Sequence, residues 1–107
     1  KAPGGAVFEH RHLVNAVCKL VPHIRQPSLI VHPLEDDYAA LSNATYLSGK
    51  LAGNVELVVL DDCYHIVTVD RQRHLVVEAI DRFAASLTRA DISNPVVTLN
   101  TRQQSVA

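Results

Sequence analysis

The stretch Val55-Glu56-Leu57-Val58-Val59-Leu60 is an apolar, β-branched run that ends abruptly in Asp61-Asp62-Cys63-Tyr64-His65. A second run of the same kind, Ser28-Leu29-Ile30-Val31-His32, is closed by Pro33 and followed by Leu34-Glu35-Asp36-Asp37. Continuous apolarity, rather than strict alternation, suits strands covered on both faces, as in a parallel sheet. Between the two runs, Ser42 is placed to cap a helix from Asn43 to Leu51, which Gly53 and Asn54 break. Two strands joined through a crossover helix are parallel.

Further out, Leu13, Val14, Val17, Cys18 and Val21 recur at spacings of three and four. They form the stripe of an amphipathic helix running from Val7 to Val21 and stopped by Pro22. Downstream, Asp70 opens a helix from about Arg71 to Leu87, with Leu75, Val76, Ala79, Ile80 and Phe83 as its apolar stripe. Residues 1–6 hold one proline and two glycines and read as a loose lead-in; 7–87 form the α/β unit; 88–107 are a tail. Within the tail, Pro95-Val96-Val97-Thr98-Leu99 suits an extra edge strand or arm, through which self-association is plausible. The order is helix, strand, helix, strand, helix. A sheet of two such strands expects further neighbours, because an isolated pair is marginal. The chain also starts at Lys1 rather than Met, which fits a processed product or a piece of something longer.

Composition narrows the classes. With 107 residues, 48% of them apolar, this is one globular domain rather than a disordered chain. Ten basic residues balance eleven acidic ones, so no nucleic-acid or membrane-surface footprint is expected. No apolar run approaches the roughly 20 residues needed to span a membrane. Two cysteines, Cys18 and Cys63, make no disulfide framework, and a reducing, cytoplasmic setting is the default expectation.

Ligands and catalysts in open parallel sheets collect beyond the carboxyl ends of the strands. Here those ends carry acids on one loop and His65 on the other. A carboxylate that accepts a bond from imidazole fixes its tautomer and favours the imidazolium formed when the ring takes a proton. Cys63 lies close to His65, but a zinc site needs three or four ordered ligands, and the other histidines are scattered over different elements. Asp61 and Asp62 read as solvated loop acids or turn formers, Cys18 as core packing, and His32 as a hydrogen-bonded structural histidine.

The segment Leu29-Ile30-Val31-His32-Pro33-Leu34-Glu35-Asp36-Asp37 resembles the acid-bearing segment of α/β-hydrolases. The segment from Leu57 to Asp70 resembles the histidine-bearing segment of their bacterial carboxylesterase and monoacylglycerol-lipase-like members. The likeness runs from about Gln26 to Leu87. It implies that the chain is the carboxyl-terminal part of an α/β-hydrolase sheet, with Asp36 as triad acid, His65 as triad base, and Asp70 capping the last helix. Asp37 is the alternative acid. Pro33 stands where the family usually has glycine, and Cys63-Tyr64 replace Ser-Gly, so Tyr64 is placed to alter access to His65. The resemblance implies no metal or organic cofactor and a small-molecule carboxylic ester as substrate.

The nucleophile is the larger departure. None of Ser28, Ser42, Ser48, Ser86, Ser93 and Ser105 lies in a Gly-x-Ser-x-Gly elbow. Serine precedes the acid and histidine in these enzymes, so it and the oxyanion hole are expected upstream of Lys1, and the chain alone is expected to be inactive. The alternative is a non-catalytic α/β interaction or oligomerisation module.

Overall fold

A computed structural model describes residues 4–87. Its elements are α1 (Gly4–Leu20), a 3-10 turn (Val21–His23), β1 (Ser28–Pro33), α2 (Leu41–Lys50), β2 (Val55–Leu60) and α3 (Arg73–Leu87). β1 and β2 pair in parallel, from Ser28 opposite Val55 to Pro33 opposite Leu60. The fold is mixed α/β, with a two-stranded sheet among the described residues. The stretch 95–99, read as an edge strand or arm, lies outside them.

Successive strand residues point to opposite faces, and this splits the core in two. Glu56, Val58 and Leu60 face α3, where Val58, Leu60, Cys63, Val76 and Ala79 form one buried cluster, with Leu29 and Val31 of β1 packed against it. Val55 and Leu57 are buried on the other face, as are Ala44 of α2 and Val21 of the 3-10 turn. Burying a side chain of Leu60's size contributes about 1.5–3 kcal/mol, and at 1% exposure Leu60 takes nearly all of it.

The sheet is narrower than the sequence pattern expects. β2 is covered on both faces, whereas every β1 residue except Pro33 is only half-buried. Two strands are too narrow to cover the whole stripe of α3. Ile80 therefore faces solvent, although Val76 and Ala79 are buried.

Three boundaries and one burial differ from the sequence reading, each for a local reason. α1 begins at Gly4, inside the expected lead-in. Neither Gly4 nor Gly5 uses a positive φ, and two glycines weaken a first turn by about 1 kcal/mol each without forbidding it. α2 starts at Leu41, and Ser42 does not cap it. The flanking residue is Ala40 in an extended conformation, with no side-chain cap, and Asn43 N–H reaches Ala40 O at 2.9 Å. α3 starts at Arg73, because Asp70 does not cap it; its carboxylate accepts from Arg71 N–H at 2.7 Å and from Tyr64 N–H at 2.7 Å. Finally, α1 buries none of its residues: Leu13, Val14 and Val17 stay exposed, Cys18, read as core, is half-buried, and of that stripe only Val21, past the helix end in the 3-10 turn, is buried.

The turn between α2 and β2 is set by a close backbone approach. Ala52 and Gly53 both donate to Ile24 O, at 2.9 and 3.1 Å. A Cβ on Gly53 would lie 2.5 Å from Gln26 O and closer still to Arg25 O. Both are backbone atoms that cannot swing aside, so Gly53→Ala should cost about 1–3 kcal/mol, the usual price of overpacking. Gly49→Ala is the control: nothing lies within 4 Å of its Cβ, and alanine at this last-turn position of α2 should gain up to about 0.5–1 kcal/mol. Urea denaturation midpoints of the two variants should move in opposite directions.

Candidate functional site

The register that ends β1 and β2 at the same level sets their following loops side by side. Leu34 N–H donates to Leu60 O at 2.7 Å and extends the pairing one step past Pro33. The chain then turns at Asp36. Its Oδ1 accepts from Tyr38 N–H at 2.7 Å and Ala39 N–H at 2.9 Å, the local side-chain-to-backbone bonding that Asp favours in turns.

His65 arrives from the other loop. Its Nδ1 lies 2.9 Å from Asp36 Oδ2 and 3.1 Å from Oδ1. An ionised carboxylate only accepts, so Nδ1 carries the proton in this contact and Nε2 is the nitrogen left to accept one. The Asp36 side chain is 3% exposed and that of His65 51%. The acid is enclosed and the base is open to solvent.

The His65 loop is held at several points. Leu60 and Cys63 are buried in the α3-facing cluster, which fixes the chain before and after the turn. Cys63 thus belongs to the core. Asp70 grips Tyr64 N–H, next to His65. Gln72 receives Asp62 N–H on Oε1 at 3.0 Å and donates from Nε2 to Asp61 Oδ1 at 2.7 Å. Asp62 pairs with Arg71 at 2.8 Å, but both are well exposed, so this pair contributes little.

The structure brings Asp36 to His65 and leaves the alternative acid, Asp37, exposed on the turn. Tyr64 sits under the Arg71 guanidinium, 5.7 Å from ring centroid to Cζ. The aromatic ring against His65 is instead Tyr38, with centroids 5.0 Å apart and planes tilted by 50°. Sequence reasoning missed Tyr38. The available signal was its position two residues after the acid, where an Asp side chain commonly bonds the backbone. His32 is part-buried, and its Nδ1 meets Pro33 O at 2.6 Å.

These contacts set the acid's titration. The His65 hydrogen bond is the largest influence and lowers the Asp36 pKa, burial opposes it, and the Ala39 and Tyr38 amides lower it further. The balance brings it from 3.8 to about 2.

No protein-family profile, curated protein or solved structure matches this chain. The likeness to α/β-hydrolases therefore rests on the residues of the chain itself.

A depressed carboxyl pKa has a definite sign in stability. The Asp36 contribution is complete above pH 3.8 and is lost as pH falls through about 2, where the folded carboxylate protonates. In His65→Ala the carboxyl should titrate higher, back towards 3.8, because the largest lowering influence is gone. Carboxyl-detected carbon NMR reads this directly. An unchanged Asp36 titration in that variant would show that the imidazole bond does not hold the carboxylate in its ionised form.

Proposed function

We propose that Asp36 and His65 are the acid and base of a serine-type hydrolase that cleaves small carboxylic esters, with the serine supplied from outside these 107 residues. The observation that carries this reading is the enclosed Asp36 carboxylate on Nδ1 of an exposed imidazole. That arrangement orients a ring to move protons through Nε2 and stabilises the charge it gains. In the reaction, a serine hydroxyl attacks the ester carbonyl and its proton passes to His65 Nε2. The C–O bond to the alcohol then breaks, and the alcohol leaves with that proton. Water repeats the sequence on the acyl-serine and releases the acid.

The serines of the described segment support an external nucleophile. Ser28 opens β1, at the opposite end of the sheet from His65, and its Oγ donates to Gln26 O. Ser48 and Ser86 donate to carbonyls within or beside their own helices. Ser42 lies in the first turn of α2.

A second reading, a non-catalytic module that self-associates, is favoured by one feature. The stripe Leu13, Val14 and Val17 of α1 faces Tyr46 and Leu47 of α2 across an apolar groove of about 420 Å³. No helix among the described residues is long and apolar enough to cross a membrane, so this surface is not a membrane span.

The two readings part on one experiment. The whole natural reading frame that encodes this chain should hydrolyse p-nitrophenyl butyrate with saturation. His65→Ala and Asp36→Asn should each lower kcat/KM by about 10²–10⁴-fold, the range for losing positioned general-base help. The 107-residue chain alone should show no turnover, because triad members act as a unit. Activity that survives His65→Ala, or a whole protein that self-associates and hydrolyses no ester, would overturn the enzyme reading.

A further inference from the structure

Tyr38 touches both members of the pair. Its backbone N–H holds Asp36 Oδ1 at 2.7 Å, and its ring lies against His65 with centroids 5.0 Å apart. The ring buries little of itself; the residue is 85% exposed. A large aromatic side chain left so open contributes little to folding, since hydrophobic gain follows the area removed from water. Tilted aromatic contacts at this separation are attractive beyond area burial. His65 is itself exposed, its hydrogen bonding to the carboxylate runs through Nδ1, and bonding through one ring nitrogen leaves a ring free to swing about it. A neighbouring ring restricts that swing.

We propose that Tyr38 is a positioning residue: its amide fixes the carboxylate and its ring fixes the plane of the imidazole, so that Nε2 points in one direction. The two functions are separable, because the amide survives any side-chain change except proline. The meaning for catalysis rests on the proposed role of His65, whereas the effect on the ring does not.

The variants are Tyr38→Leu, which keeps the amide and removes the aromatic ring, and Tyr38→Phe, which keeps the ring and removes only the hydroxyl. In the full chain, NMR should show nuclear Overhauser contacts between the Tyr38 and His65 rings. It should also show a ring-current displacement of the His65 carbon-bound protons. Both should persist in Tyr38→Phe. In Tyr38→Leu the ring-current displacement should disappear and the His65 side-chain scalar couplings should average between rotamers. Amide shifts of β1 and β2 should stay in place in both variants, which reports that the fold is intact.

In the whole protein, Tyr38→Leu should lower kcat by about 10-fold with KM unchanged. That lies within the roughly 10²-fold that a misplacement of about 1 Å can cost. Tyr38→Phe should restore the rate. Unaveraged His65 couplings in Tyr38→Leu, with the β-sheet amides in place, would overturn the proposal. Averaged couplings in a protein that hydrolyses no ester would support the positioning of His65 and sink the esterase reading instead.

Discussion

The parallel pairing of β1 with β2 governs where everything else stands. Because Pro33 lies opposite Leu60, the two strands end together, and the chain leaves both on the same side of the sheet. A slip of one residue would turn every side chain to the other face. Val58 and Leu60 would lose α3, and the two loops would part company. The core on the α3 side and the meeting of Asp36 with His65 are thus consequences of one register. Leu60 joins the two: it is the most deeply buried residue of the strand and the last before the loop that carries His65.

Within that frame the two loops are built differently. The Asp36 turn is rigid in its acceptor: two amides and an imidazole converge on one enclosed carboxylate. The His65 loop is rigid in its backbone. Asp70 and Gln72 lace it to the turn before α3, and Cys63 roots it in the core. The imidazole itself remains the exposed element. A general base that must meet a proton brought from elsewhere needs that combination of fixed support and open ring.

Much of this was legible in the sequence because it is local. Two apolar β-branched runs, each followed by acids, gave the strands and the loops after them. Asp36 and His65 were singled out from strand-end position and segment likeness. The helix starts were not legible, because capping was inferred from residue type alone. Ser42 stands next to a helix start set by Ala40 and Leu41, and Asp70 spends its oxygens on Tyr64 and Arg71. Tyr38 was invisible for a different reason. Its ring contact spans the gap between two loops, and periodicity has no access to that. The stripe of α1 was read correctly as a pattern, but a pattern does not say what lies opposite it.

That unburied helix has a thermodynamic consequence. α1 has 17 residues, close to the length at which isolated helices are only marginal in water, and none of them is buried. Its helical content is therefore governed by its own coil equilibrium more than by the core around Leu60. The amides of α1 should exchange with solvent through local fraying, at a free energy far below that of opening the sheet. Calorimetry of this chain should then register mainly the melting of the β1–β2–α3 body, with α1 fading at a lower temperature.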